Sequence, residues 1–156
     1  MTDEWLVDGY NLLHARPSGR SQNNKKNREE LLAALAGFAA AKGQRMRVVL
    51  DGAGQPAELE FHHTALLRVV YSQKVSADAC IEKLLYEHRS QVRFTVVTDD
   101  RAISDIARGT GAVVFGTGPF LEMMKESQKE SSETLHKNKL RSHGFHRPFE
   151  DKLKDA

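Results

Sequence analysis

The chain has 156 residues, of which 40% are hydrophobic and 28% are charged, and its formal net charge is +2. These values are typical of one globular domain with a substantial core. A single cysteine, Cys80, excludes an internal disulfide and a cysteine-rich zinc site, and it fits a reducing compartment. No apolar run approaches the length that crosses a bilayer and no leader pattern opens the chain, so we expect a cytoplasmic protein with no membrane partner.

Short apolar runs that end in acids or glycines predict strands, and amphipathic stretches between them predict helices. The first run, WLV at 5–7, is typical of a buried strand that ends in a turn at Asp8 and Gly9. A polar loop then leads to the first predicted helix, at 28–43, which has acids in its first turn and Lys-Gly at its end. The connection at 55–65 allows either a short helix or an irregular loop. The other predicted elements are strands at 47–54, 66–72, 93–100 and 112–118 and helices at 76–89, 101–111 and 119–130.

The order of these elements predicts the fold class. Strands that alternate with helices, each strand a nearly continuous apolar run, favour an α/β domain with a mostly parallel sheet of about five strands and helices on both faces. We expect this domain to span residues 1–124. From about residue 125 the chain is polar and rich in Lys, Glu, Ser and His, so we expect 125–156 to form a helical extension and a tail.

Carboxylates recur where the predicted strands end or where the following helix begins. The acids in these positions are Asp8, Asp51, Asp78, Glu82, Asp99 and Asp100. Because the carboxyl ends of parallel strands meet at one edge of the sheet, these side chains are expected to converge there. Clustered carboxylates repel one another unless a cation or shared protons relieve the charge, and oxygen-only ligands favour Mg²⁺ or Mn²⁺.

Structural explanations compete with this one. Asp8 could form an Asx turn with its own backbone, Asp78 could stabilise a helix N-terminus, and Glu82 could be an ordinary exposed helical acid. Asn11 could hold a neighbouring carboxylate or a water molecule in place. Thr98 could bond a ligand carboxylate or simply follow the preference of threonine for strands.

Three segments, VDGYNLLH, DACIEKL and VVTDDRAI, follow one another in an order that resembles the NYN-type branch of the PIN-like nucleases, above all its YacP-like ribonucleases. The resemblance covers roughly residues 4–124. It implies a three-layer PIN-like domain with strand order 3-2-1-4-5, a divalent-metal site and endonucleolytic cleavage of RNA that leaves a 5′-phosphate and a 3′-hydroxyl. It also implies catalytic roles for the matching residues Asp8, Asn11, Asp78 and Asp100.

The metal ligands that the resemblance implies are Asp8, Asp78 and one acid of the doublet after the fourth strand. The family commonly has a serine where this chain has Asp99, which leaves the choice between Asp99 and Asp100 open. Glu82 occupies the next motif position after Asp78. Asp51 ends the second strand as in many members of the family, so we include it among the candidate ligands.

A basic stretch at 15–28 contains five cationic residues and no acid. Such a run is commonly a solvated loop, but it can also guide a polyanion. We expect it to contact RNA phosphates through Arg16, Arg20, Lys25, Lys26 and Arg28.

The sequence therefore predicts a metal-dependent endoribonuclease of mRNA decay or RNA processing, with single-stranded RNA or mRNA as substrate and the ribosome as a further candidate partner. One alternative is an RNA- or ribosome-binding module that keeps the fold and lacks turnover. Another is a signalling domain in which an aspartate accepts a phosphoryl group, but that domain would need a lysine after the last strand, and FGTGPF offers none.

Overall fold

The computed structural model describes residues 1–16, 24–52 and 65–155, with the backbone alone at residue 24 and from residue 141 onward. Arg20 and most of the connection at 55–65 lie outside the described residues. The elements, in chain order, are β1 (Thr2–Asp8), α1 (Gly9–Ala15), α2 (Asn24–Lys42), β2 (Arg45–Leu50), β3 (Leu67–Tyr71), α3 (Ala77–His88), β4 (Val92–Val97), α4 (Arg101–Gly109), β5 (Val113–Phe115) and α5 (Thr117–Asp155).

The five described strands form one sheet in the order β3-β2-β1-β4-β5, with parallel pairing throughout. The predicted fold class and strand order are therefore confirmed. β1 is the central strand: Asp8 lies opposite Val49 of β2, and Val7 lies opposite Val97 of β4. This register brings the carboxyl ends of β1, β2 and β4 to the same edge.

Two apolar clusters cover the two faces of the sheet, which makes the domain three layers deep. One cluster packs Leu12 of α1, Leu35 of α2 and Phe120 of α5 against Val7. The other cluster packs α3 and α4 against the opposite face, where Leu6 is buried. Because successive residues of a strand point to opposite faces, a central strand must be apolar on both, as β1 is.

Trp5 joins the long helices to the central strand. Its ring centroid lies 6.0 Å from that of Phe38 on α2, 5.7 Å from Phe115 on β5 and 5.4 Å from Phe120 on α5. Aromatic pairs at such distances contribute about 0.5–1.5 kcal/mol each beyond their buried area. The cluster therefore fixes α2 and α5 on the face of the sheet that also carries α1.

The structure differs from the sequence prediction at three helices. α1 was not predicted, because the sequence pattern indicated only a turn after Asp8. α2 begins at Asn24, so residues 24–27, which were predicted to be loop, are helical. α5 begins at Thr117 and continues to Asp155, so it crosses residue 125 without interruption. Among the described helices none is long and apolar enough to cross a membrane.

Candidate active site

Asp8 is a buried carboxylate at the end of the central strand. Its residue is only 1% exposed, and it serves as the N-cap of α1. Its Oδ1 accepts a hydrogen bond from the backbone N–H of Asn11 at 3.3 Å, and its Oδ2 accepts one from the Thr98 hydroxyl at 3.1 Å. The Asx-type capping considered for Asp8 is thus present, and it leaves the charge buried in the sheet edge.

Gly9 lets α1 start directly against β2. A Cβ at this position would lie 2.5 Å from the Leu50 Cδ2 and 2.6 Å from the Val49 carbonyl oxygen. No side chain fits at those distances. The glycine after Asp8 therefore brings α1, and the Asn11 that it carries, close to the edge of the sheet.

Burial raises the pKa of the Asp8 carboxyl above its ordinary value, and the charges of Asp78 and Asp100 raise it further. The hydrogen bonds from the Asn11 N–H and the Thr98 hydroxyl oppose this rise without cancelling it. The charged form of Asp8 is therefore disfavoured in part by repulsion from two neighbouring carboxylates, and a bound cation would offset that repulsion.

The Thr98 hydroxyl connects Asp8 to the turn after β4. It donates to the Asp8 Oδ2 and accepts from the backbone N–H of Asp100 at 3.0 Å. Asp100 is the N-cap of α4, with its Oδ1 accepting from the Ile103 N–H at 3.0 Å. Of the two roles considered for Thr98, the structure shows the hydrogen bond to a carboxylate.

The two acids of the doublet point to different partners. The Asp99 Oδ1 accepts from the backbone N–H of Thr117 at 2.9 Å, and its Oδ2 accepts from the Thr117 hydroxyl. The Asp99 N–H donates to the Asn11 Oδ1 at 2.9 Å. Asp99 thus anchors the first residue of α5, and Asn11 holds the backbone of the turn, whereas the charge of Asp100 acts on Asp8 and Asp78.

Asp78 completes the acidic edge from α3. Desolvation raises the pKa of its carboxyl, and the charges of Asp100 and Asp51 raise it further. The Asp51 Oδ1 accepts from the Ser72 hydroxyl and from the Ala77 N–H, both at 3.2 Å, so Asp51 supports the start of the helix that carries Asp78. Glu82 lies one turn further along α3 and is exposed.

The metal-binding capacity of this edge follows from its donor atoms. Within the described residues no group of three or more His, Cys, Asp or Glu side chains has the spacing of a preformed metal centre. Mg²⁺, however, keeps several waters and binds as few as one or two carboxylates directly. Oxygen donors and a crowded, buried carboxylate suit such a hard cation, and Asp8, Asp78 and Asp100 are the residues that could hold one, partly through water.

The sequence matches the family model of the YacP-like NYN domain over residues 5–156. The chain belongs to this family. The NYN domain is a nuclease-type domain related to RNA. The match includes the polar extension that begins near residue 125, which lies beyond the segments on which the resemblance rested.

Solved structures show the same fold. Rae1 (YacP) from Bacillus subtilis superimposes with a TM-score of 0.76 and 23% identity over 99% of this chain and 91% of that chain. A mutant of the same protein gives a TM-score of 0.74 and 24% identity over 88% and 84% of the two chains. A search of curated proteins returned no match.

The basic residues of this family member lie in two environments. Lys25 and Lys26 are exposed near the start of α2, and Arg28 is half-buried on the same helix. Arg16 follows α1 and lines a groove of about 710 Å³ between α2 and α5. Its Nη1 is buried and has no hydrogen-bond partner within the part of the chain that the structure describes.

Two supporting residues of the site were not predicted. Ser72 donates to Asp51 from the end of β3, and no pattern in the sequence indicated this role. Thr117, the first residue of α5, donates from its N–H and its hydroxyl to Asp99. An acid just after β4 and a Gly-Thr-Gly-Pro turn just after the neighbouring β5 were the signal that could have connected them.

Proposed function

We propose that this protein is a divalent-metal-dependent endoribonuclease. One observation carries the proposal: the Asp8 carboxylate is held at the carboxyl edge of the sheet, where its burial and, in addition, the charges of Asp78 and Asp100 raise its pKa. A buried and crowded carboxylate opposes folding, so its presence indicates a functional site. Membership of a nuclease-type, RNA-related family supports the reaction class.

We assign Asp8, Asp78 and Asp100 to the binding of Mg²⁺ or Mn²⁺. A bound ion of this kind stabilises negative charge on a phosphate and lowers the pKa of the attacking water. Asp99 and Asp51 are assigned to positioning instead, because they anchor α5 and α3 and are not among the charges that raise the pKa of the buried Asp8. Glu82 is exposed, and we give it no ligand role.

The hydrogen bonds of the site hold the carboxylates in place before substrate arrives. The Asn11 N–H and the Thr98 hydroxyl fix both oxygens of Asp8. The Asn11 side chain fixes the turn that carries Asp100. Preorganised charge of this kind needs little rearrangement during a reaction, which is the main requirement for stabilising a transition state.

The N-termini of α3 and α4 also face this edge, since Asp78 lies in the first turn of α3 and Asp100 caps α4. Their partial positive charges favour a phosphate group there. We assign the cations of the basic stretch to contacts with the RNA backbone, where they add affinity without sequence preference. A role in mRNA decay or RNA processing in the cytoplasm, with the ribosome as a partner, completes the proposal.

Incubation with mixed cellular RNA tests the proposal. The wild-type protein with Mn²⁺ or Mg²⁺ should produce internal cuts whose ends can be mapped, and chelation or Asp8→Asn should abolish them. Asp105→Asn is the matched control, because Asp105 is an exposed acid on α4 that pairs with Arg108 at 3.9 Å. RNA that is bound but left intact by the wild-type protein under both ions would favour the non-catalytic module instead.

A further inference from the structure

An exposed aromatic pair lies on α1 beside the acidic edge. The ring centroids of Tyr10 and His14 are 4.3 Å apart, and the ring planes are inclined by 58°. Tyr10 is 57% exposed, although it is flanked by Gly9, which packs on β2, and by Asn11, which holds the turn after β4. His14, one turn further on, is also exposed.

The fold does not explain this pair. Tyr10 belongs to neither apolar cluster of the domain, and Asp8 supplies the cap of α1. A side-chain pair spaced four residues apart on an exposed helix face adds only a little to helix stability. A large ring that faces solvent next to a candidate active site is accessible to a ligand that binds there.

The position of the pair limits what it can bind. With a rise of about 1.5 Å per residue, Tyr10 is about 3 Å along the helix axis from Asp8, and His14 is about 6 Å beyond Tyr10. The pair therefore lies within a few ångströms, along the helix axis, of the acid at which the reacting phosphate is proposed to bind, a separation that one neighbouring nucleotide can span. Aromatic rings stack on the faces of unpaired bases with little regard for base identity.

We propose that Tyr10 and His14 form a stacking platform for one nucleobase of single-stranded RNA next to the reacting phosphate. The proposal rests on the function proposed above and adds a binding site for one base of the substrate. The platform accepts an unstacked base and leaves a base inside a duplex out of reach, so it selects single-stranded RNA over double-stranded RNA.

Fluorescence on a protein that cannot cut provides the direct test. In the Asp8→Asn background, a short single-stranded RNA carries the fluorescent base analogue aminopurine, which is moved along the strand one position at a time. At one position, stacking should quench the emission, and Tyr10→Leu should abolish the quenching and weaken binding by at least about fivefold. Tyr10→Phe should preserve both signals.

Tyr86 offers the matched control. It is a tyrosine on α3 that is 60% exposed, and the Arg89 guanidinium lies 5.1 Å from its ring centroid. Tyr86→Leu should leave quenching and affinity unchanged. In the otherwise wild-type protein, Tyr10→Leu should raise KM and leave kcat within about twofold, because a base contact present in both ground and transition states affects binding alone.

An abasic substitution separates stacking from a structural effect. Removing the stacked base should weaken binding to the tyrosine protein and have no further effect in Tyr10→Leu. Two results would overturn the platform. One is equal RNA affinity with and without Tyr10→Leu in the Asp8→Asn background. The other is that Tyr10→Leu weakens the binding of abasic RNA as much as the binding of intact RNA. If the wild-type protein cuts no RNA while quenching still depends on Tyr10, the proposed function fails and the platform stands. If the wild-type protein cuts RNA and Tyr10→Leu changes neither KM nor quenching, the platform alone fails.

Discussion

Gly9→Ala should damage both the stability and the activity of this protein. The added Cβ would lie 2.5 Å from the Leu50 Cδ2 and 2.6 Å from the Val49 carbonyl oxygen, which belongs to the backbone of β2. The side chain of Leu50 can rotate, but the carbonyl of a sheet strand cannot yield cheaply. α1 must therefore move away from β2 by roughly 1 Å, at the upper end of the overpacking range of about 1–3 kcal/mol.

Thermal unfolding measures this loss. A change of about 3 kcal/mol in a chain of this size should lower Tm by about 6–12 °C. Gly37→Ala is the control, because Gly37 lies inside α2 and a Cβ added there would have nothing within 4 Å, so this variant should raise stability by about 0.5–1 kcal/mol.

The displacement of α1 in Gly9→Ala should also lower the cleavage activity. A displacement of about 1 Å of a residue that orients reacting groups lowers the rate by about a hundredfold, and here both Asp8 and Asn11 move. Cleavage assays at a temperature where the variant is fully folded separate this effect from unfolding. A Gly9→Ala protein with wild-type Tm and wild-type cleavage would refute the reasoning that close packing on β2 sets the site.

Further predictions concern the charged groups. Because the pKa of Asp8 is raised above 3.8, the native state binds this proton more tightly than the unfolded chain does. The stability that this proton contributes is complete below the ordinary pKa of an aspartate and is lost as pH rises through the raised pKa of Asp8. In metal-free buffer near neutral pH, Asp8→Asn should therefore unfold at a higher temperature than wild type. Thermal melts in acid should show a smaller difference in Tm between the two proteins. Asp100→Asn should abolish cleavage, whereas Asp99→Asn should lower Tm and retain a measurable rate of cleavage. The reverse result would make Asp99 the metal ligand and Asp100 the positioning residue. Neutralising the α2 cations Lys25, Lys26 and Arg28 should make RNA affinity less dependent on salt. The slope of log affinity against log salt concentration should fall in magnitude by about 0.7 for each phosphate contact removed. Neutralising the exposed α5 cations Lys137 and Lys139 should leave the slope unchanged, and the opposite result would transfer RNA contact to that helix.

The sheet could be predicted because its strands are short apolar runs that alternate with helical segments, a pattern that few other architectures share. Trp5, Leu6 and Val7 are apolar in succession, which suits a central strand that is buried on both faces. The order of the strands came from the resemblance to a family and not from the runs themselves. Periodicity alone carries no information on which strands are neighbours.

The site could be predicted as an edge of carboxylates but not as a network. Asp99 and Asp100 both follow β4, and only the position of α5 shows that Thr117 takes the oxygens of Asp99. The helix α1 escaped prediction for a similar reason. Seven residues are too few to show a clear helical period. The helix also depends on the close packing of Gly9 on β2, which is a tertiary contact that the sequence does not reveal.

The central position of β1 governs when the site can come into being during folding. Asp8 is synthesised well before Thr98, its hydrogen-bond partner, which lies 90 residues later in the chain. Contacts of such long separation form slowly, because they carry the entropy cost of closing a long loop. The anchor between Asp99 and Thr117 requires still more chain. A nascent polypeptide therefore carries no complete acidic edge until β4 has docked and α5 has begun.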